Sequence, residues 1–169
     1  MKTGSIYLII ITFFLSSCAG FQKKQLTDAN KFISIDIPKN WIVDRNIELG
    51  GGSFIQITIP NEPQNSSLLI ECSNISTVWD QNDMEKVEAA MKHDGMKDVN
   101  IKKTNLENSE VIVIKCSQEK GGYTFLLEMR TINNPNREES VTLTYTHLEG
   151  DGQALNHKAF DRISKDLSK

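Results

Sequence analysis

The sequence predicts an α+β fold, with an antiparallel β-sheet of about six to seven strands and two helices packed on it. Several segments alternate apolar and polar residues with the period of two that is typical of half-buried strands, and two segments have the spacing of amphipathic helices. Short, turn-rich links join the later strands, which favours antiparallel neighbours because a parallel crossover needs about a dozen residues or more. Three strands, a helix, four strands and a helix follow one another, which is an α+β order.

Three strands precede the first helix. In Phe32–Pro38 isoleucines alternate with polar residues until the proline ends the strand, and a turn then leads to Trp41. The second strand repeats this alternation over Ile55–Ile59 and ends at Pro60, and the third covers Leu68–Ile75. Alternation of this kind places one face of a strand in a core and the other in solvent.

The first helix follows the third strand. Apolar residues recur at i, i+3 and i+7 from Met84, which predicts a helix of about three turns. Asn82 or Asp83 can cap its N-terminus, and Gly95 can supply the left-handed residue beyond its C-terminus.

Four strands and a second helix complete the chain. The predicted strands are Val99–Asn105, Val111–Ser117, Tyr123–Ile132 and Val141–His147. Val111–Ile114 is apolar on both faces, which predicts a central strand covered on each side. The last helix has one apolar stripe, formed by Ala159, Phe160, Ile163 and Leu167.

The N-terminus has the composition of a secretory signal peptide over residues 1–17. Lys2 is its only charge, and Ile6–Leu15 is an apolar run interrupted by Thr12. This run is shorter than the roughly 20 residues of a transmembrane helix. The segment Leu15–Cys18 resembles the lipobox of bacterial lipoproteins, and the alternative is a secreted protein with a coincidental cysteine.

The lipobox resemblance implies a location and a membrane partner. It implies a diacylglycerol on Cys18, cleavage before this residue and acylation of the new amino group. Ala19, where an aspartate commonly retains lipoproteins in the inner membrane, favours the outer membrane, facing the periplasm, as the place in the cell envelope. Residues 18–29 have no clear period and are predicted to be a lipidated tether, with a single domain over residues 30–169.

The charge of the chain bears on its possible partners, and its cysteine content bears on disulfide formation. After removal of residues 1–17, which include Lys2, 18 basic and 22 acidic residues give a formal charge of −4. The sequence has neither a basic block nor a basic stripe with interleaved aromatics, so nucleic acid is not an expected partner. Cys72 and Cys116 are either a disulfide, as in many exported domains, or two buried free thiols.

The opening strand that ends in Ile37-Pro38, the following Trp41 and a closing helix with Phe160 and Ile163 resemble the PsbP-like fold. The resemblance covers roughly residues 30–168 and implies an α/β/α sandwich. The fold is named after an extrinsic photosystem II subunit and occurs in a nuclear import factor that binds Ran and in many bacterial lipoproteins. The resemblance implies a binding or assembly role with a protein partner, and no catalysis.

The sequence carries no recognised catalytic or cofactor motif. Gly50–Ser53 lacks the closing glycine of a nucleophile elbow and predicts a hairpin loop, and no phosphate or dinucleotide loop is present. No cofactor and no metal site are predicted, although His147 and His157 could approach each other around the loop at 149–152. Trp41 and Trp79 either line a ligand groove or close the edge of the core.

These observations favour a lipid-anchored binding or assembly module without catalytic activity. Two alternatives stay open. One is a lipoprotein that binds a small ligand or a metal in a groove between the sheet and a helix. The other is an envelope hydrolase whose site is assembled from residues distant in sequence.

Replacement of the predicted lipidation site tests the anchor. In Cys18→Ala we expect loss of acylation and of cleavage at this site, and release of the protein from the membrane fraction, because stable anchoring needs two or more buried acyl chains. Membrane fractionation and electrophoretic mobility measure both effects. If neither changes, Cys18 is not the anchor.

Overall fold

The computed structural model describes residues 22–60, 65–76, 78–133, 139–150 and 154–169. The predicted signal peptide and Cys18 lie outside the described residues. None of the helices in the described ranges has both the length and the apolar character needed to span a bilayer.

Nine strands and two helices make up the described part of the chain. The strands are β1 (Lys23–Thr27), β2 (Ser34–Pro38), β3 (Ile42–Leu49), β4 (Gly52–Ile59), β5 (Ser66–Ser73), β6 (Lys97–Leu106), β7 (Ser109–Lys120), β8 (Tyr123–Asn133) and β9 (Ser140–Leu148). The helices are α1 (Gln81–His93) and α2 (Ala154–Leu167). Seven strands form one antiparallel sheet in the order β3-β4-β5-β9-β8-β7-β6, and β1 and β2 form a separate hairpin.

The predicted fold class is confirmed, but the set of strands in the sheet differs from the prediction. The segment predicted as the opening strand is β2, which pairs with β1 and stays outside the main sheet. The main sheet instead takes in β3, for which the sequence gives no signal. β3 is an edge strand in which every residue but Val43 is exposed, so no alternation of apolar and polar residues marks it.

The predicted tether is wrong over part of its length. Residues 23–27 form β1, so the folded domain includes residues that precede the predicted boundary at residue 30. Leu26 is the only buried residue of β1, so the strand depends on its pairing with β2 and has no hydrophobic pattern of its own. Asp28 fixes the turn that follows, because its carboxylate accepts hydrogen bonds from the backbone N–H groups of Asn30 and Ile33.

The core lies on one face of the main sheet, which we call the inner face. The β1–β2 hairpin and α2 lie side by side on it, and α2 contacts β2, β8 and β9. The strand register aligns Ile55, Ile70 and Leu143 across this face. Burial of each such side chain stabilises the fold by about 1.5–3 kcal/mol. The predicted stripe of α2 is confirmed, with Phe160 and Ile163 fully buried against the core.

The opposite, outer face is covered near the edge strand β6, which α1 contacts. Ile112 and Ile114 of β7 point to this side and are buried, while Val111 and Val113 belong to the inner core. The prediction that this strand is covered on both sides is therefore confirmed. Its central position is wrong, because β7 lies beside the edge strand and β9 occupies the centre of the sheet.

The ends of α1 agree in part with the prediction. The N-cap is Asp80, whose carboxylate accepts a hydrogen bond from the Asp83 backbone N–H at 2.8 Å, while the Asp83 carboxylate accepts from the Asp80 N–H at 3.2 Å. Asp83 thus closes a capping box from inside the helix and is not the cap itself. Gly95 has φ +84°, which confirms the left-handed residue beyond the C-terminus.

Cys72 and Cys116 are free thiols on opposite faces of the sheet, so the alternative of two buried thiols holds. Cross-strand pairing places the side chain of Cys116 on the same face as those of Leu127, Thr146 and Ser67. Successive residues of a strand point to opposite faces, and Ser67 and Cys72 are an odd number of residues apart in β5, so Cys72 lies on the other face. β5 and β7 are also separated by two strands, which places them about 14 Å apart. A disulfide requires Cα atoms within about 7 Å.

The two thiols give a direct test of this arrangement. In Cys18→Ala, which leaves only these two cysteines, we expect two free thiols to titrate after unfolding without reductant. In the folded protein the reaction is slow, because burial raises the pKa of Cys72 to about 11 and also raises the pKa of Cys116. Absence of free thiols in the unfolded, unreduced chain would contradict the structure.

Candidate functional site

Five charged or titratable side chains meet on the inner face, where α2 crosses β8. Glu128 and Arg130 alternate with apolar residues along β8, and Lys115 of β7 stands directly opposite Glu128. α2 adds His157 and Asp161, which are one helical turn apart. We call these five residues the charged cluster.

Glu128 is the centre of the charged cluster, with a side chain that is only 8% exposed. Its Oε1 accepts hydrogen bonds from Arg130 Nε at 2.8 Å and Nη2 at 2.6 Å, and its Oε2 lies 2.9 Å from Lys115 Nζ and 3.2 Å from His157 Nε2. Burial acts to raise the pKa of Glu128, but the hydrogen bonds and charges of Lys115 and Arg130 outweigh it and hold the pKa below its ordinary value. Glu128 is therefore a buried, ionised carboxylate whose charge is neutralised by Lys115 and Arg130.

The same cluster fastens α2 to the sheet. Arg130 Nη2 donates to Asp161 Oδ1 at 2.6 Å, and its guanidinium carbon lies 4.4 Å from the centre of the Phe160 ring. His157 Nδ1 is 3.2 Å from Asp161 Oδ2. Arg130 thus joins a carboxylate of the sheet, a carboxylate of the helix and an aromatic face of the helix, which together fix its orientation.

His147 and His157 lie near each other, and both rings contact Tyr145. The Tyr145 ring centre is 4.9 Å from that of His147 and 6.2 Å from that of His157. Burial lowers the pKa of His147 and raises the pKa of Tyr145 to about 12. His147 Nδ1 is 3.0 Å from the Leu148 carbonyl, and both ring nitrogens of His157 face carboxylates. Within the described ranges, no three His, Cys, Asp or Glu side chains are arranged to hold a metal ion.

An open groove continues from the charged cluster across the inner face of β6, β7 and β8. It has a volume of about 240 Å³ and is lined by Lys102, Thr104, Asn105, Leu106, Val111, Val113, Lys115, Glu128 and Arg130. Lys102 and Thr104 are exposed in it, because α2 and the hairpin cover the inner face farther from β6. Pockets for small ligands usually enclose about 300–1,000 Å³, so this groove suits a ligand that lies across it more than one that is enclosed.

The two predicted groove tryptophans do not form a common site. Trp41 is 1% exposed and belongs to the core, so its assignment to a groove is wrong. Burial in the core cluster agrees with the alternative that the sequence allowed, in which this side chain closes the edge of the core. Trp79 is half-buried and borders a shallow depression beside α1, together with Val78 and Lys86.

Ser53 and Cys72 are two nucleophilic side chains that lie together in the core. Ser53 Oγ donates to the buried Asp28 carboxylate at 2.6 Å and also hydrogen-bonds to the Cys72 thiol. Burial raises the pKa of this thiol to about 11, so it stays protonated and unreactive. In the described part of the chain, His93 and His157 hydrogen-bond to carboxylates and His147 to a backbone carbonyl.

The sequence did not identify the charged cluster, although it contains one signal of it. Glu128 and Arg130 are the only charged residues inside the otherwise apolar or neutral run Tyr123–Ile132, and their i, i+2 spacing places both on one face. Their opposite charges at this spacing indicate an ion pair at a partly buried position. The partners from β7 and α2 cannot be deduced from this spacing, because strand order and helix placement bring them in.

Comparison of the sequence with family models and with curated proteins gives no match. Solved structures that are similar in fold include the following two. PA94 from Pseudomonas aeruginosa, a protein of unknown function, has a TM-score of 0.51 and 11% identity, with 85% of this chain and 94% of PA94 covered. The Ran-binding protein Mog1p from Saccharomyces cerevisiae has a TM-score of 0.50 and 11% identity, with 87% and 90% covered. At this identity the likeness shows a shared α+β fold.

Replacement of the central carboxylate tests the role of the charged cluster in stability. We expect Glu128→Gln to lower the free energy of unfolding at pH 7 by about 3 kcal/mol, because it removes the buried carboxylate that pairs with the nearly buried Arg130 and with the half-exposed Lys115 and leaves Arg130 with Asp161 alone. Urea denaturation measures this change. Glu110→Gln, which removes an exposed partner of Lys103 from β7, serves as the control and should cost less than about 1 kcal/mol.

The same pair of variants has a characteristic pH dependence. The pKa of Glu128 is lower in the folded than in the unfolded state, so its stabilising effect is complete above the unfolded-state pKa and is lost as the pH falls through the folded-state pKa. The stability difference between wild type and Glu128→Gln should therefore shrink below about pH 4.5. A difference that is constant down to pH 3, or equal costs for the two variants, would contradict this account.

Proposed function

We propose that this chain is a protein-binding module that a lipid anchor on Cys18 holds at the membrane, and that its recognition surface is the groove beside the charged cluster. The observation that carries the proposal is the chemistry of the groove lining. Its cations Lys102, Lys115 and Arg130 surround one carboxylate, and Lys102 has no ion-pair partner in the described part of the chain.

The geometry of the charged cluster favours recognition over catalysis. A general acid or base must exchange its proton with a substrate. Glu128 is instead held by several donors, and Asp161 and His157 are hydrogen-bonded to each other. A rigid polar cluster beside an exposed, partly apolar surface provides the fixed orientation that a protein interface needs.

The short connection to the predicted anchor supports a role close to the membrane. β1 begins at Lys23, five residues after Cys18. A fully extended chain spans at most about 3.3–3.6 Å per residue, so the first strand would lie within about 18 Å of the acylated residue. A partner bound in this way would be another component of the same membrane surface.

The similarity in fold adds an analogy. Mog1p is a Ran-binding protein, so a domain of this architecture can bind a protein partner. Function is determined by the site and not by the fold, and the proposal for this chain therefore depends on its own groove residues.

Site-specific photo-crosslinking in living cells tests the proposal. A photoreactive phenylalanine analogue at Thr104, in the groove, should capture one discrete protein that mass spectrometry identifies. The same residue at Lys120 is the control, because it lies at the other end of β7, about 30 Å from Val111. No capture at Thr104, or the same products at both positions, would contradict a binding surface in the groove.

A further inference from the structure

We propose that the groove binds an acidic, partly aliphatic peptide segment of its partner, with Lys102 as the residue that determines this specificity. The inference deepens the proposed function and rests on it, since it names the chemistry of the segment that the groove accepts.

The charges around the groove are not balanced. Three cations and one carboxylate line it, and the carboxylate, Glu128, already accepts two hydrogen bonds from Arg130 and contacts Lys115. Arg130 uses Nε and Nη2 in these contacts and in the one to Asp161, so Nη1 remains without a partner among the described residues. Lys102 has no ion pair there either. The exposed ammonium group of Lys102 and the remaining donor of Arg130 are therefore available to an anionic partner.

The strand register places Lys102 beside the apolar lining of the groove. Lys102 stands opposite Val113 and Thr104 opposite Val111, so both side chains point to the inner face together with the two valines. Val111 and Val113 line the groove but are buried, and Leu106 is the apolar lining residue that is partly exposed. A segment that carries both carboxylates and aliphatic side chains matches this surface better than a free inorganic anion, which would leave the exposed part of Leu106 in water.

The shape and charge of the surroundings favour a peptide over a lipid surface. The groove is a concave strip of about 240 Å³, whereas a bilayer surface is attracted by a broad cluster of basic residues. Asp161 of α2 pairs with Arg130 beside the groove, and Glu110 pairs with Lys103 on the outer face, so the basic residues form no broad cluster. The whole chain has a formal charge of −3, so anionic headgroups would be repelled outside the groove.

Neighbouring lysines on β6 provide a matched pair of variants. Lys102 points into the groove, while Lys103 stands opposite Ile112 and points to the outer face. Lys102→Glu and Lys103→Glu therefore change the net charge equally, one residue apart, on opposite faces. Both lysines are exposed, and the exposed pair of Lys103 with Glu110 contributes little to stability. Melting curves of both variants confirm that each is folded before binding is compared.

The probe is a fluorescein-labelled octapeptide in which glutamate alternates with leucine, and its control has glutamine in place of glutamate. Fluorescence anisotropy with the full-length chain in detergent measures Kd at ionic strengths of about 0.01 M and about 0.15 M. At the lower ionic strength we expect the acidic peptide to bind at least about tenfold more tightly than the glutamine peptide. The affinity for the acidic peptide should fall when the ionic strength is raised. Lys102→Glu should raise the Kd for the acidic peptide by about tenfold or more, and Lys103→Glu should raise it by less than about twofold.

Three results would overturn the inference. The first is equal affinity for the two peptides, and the second is an equal loss of affinity in the two variants. The third is binding of phosphatidylglycerol vesicles that depends on Lys102 while neither peptide binds, which would assign the groove to lipid headgroups. Crosslinking at Thr104 without acidic-peptide binding would refute this inference and leave the proposed function standing. Peptide binding without crosslinking in cells would refute the proposed function and would leave only the preference of the groove for acidic peptides.

Discussion

The burial of one carboxylate constrains much of the inner face. A charged group with 8% exposure loses most of its hydration, and this loss must be offset by partners inside the protein. For Glu128 the partners come from two layers, since Lys115 and Arg130 belong to the sheet and His157 belongs to α2. Moving α2 along the sheet would separate these groups, so the ion pairs determine where the helix lies as well as how firmly it is held.

The position of α2 in turn determines which part of the inner face is open. The helix and the β1–β2 hairpin cover the strands from β8 to β4, where the fully buried isoleucines and Tyr145 lie. The end of the sheet formed by β6 and β7 has α1 on its outer face, and its inner face remains accessible at Lys102 and Thr104. The groove thus exists because α1 covers the outer face at β6, while α2 on the inner face reaches only as far as β8.

Hydrophobic patterning predicts those parts of this fold that bury one face of an element. The alternation in β2, β4 and β9 and the stripe of α2 are visible in the sequence because each side chain has one clear environment. β1 and β3 are not visible, since the first is held mainly by its pairing and the second exposes nearly all of its side chains at an edge. Cys72 and Cys116 form no disulfide because their strands are not neighbours and their side chains lie on opposite faces of the sheet. Both facts depend on the pairing of β5 with β9, which are not consecutive strands in the sequence. The charged cluster depends on the same long-range contacts, and only its Glu128–Arg130 spacing is local.

Hydrogen–deuterium exchange of the chain in its own membranes, compared with the purified chain, is the most direct measurement of whether the groove is an interface. If the groove is the partner-binding surface, amide exchange in native membranes slows along β6 and the facing part of β7, while β3 and the β1–β2 hairpin are unchanged. Slower exchange confined to β3, the hairpin or α1, with β6 unaffected, would contradict the account and assign recognition to another surface.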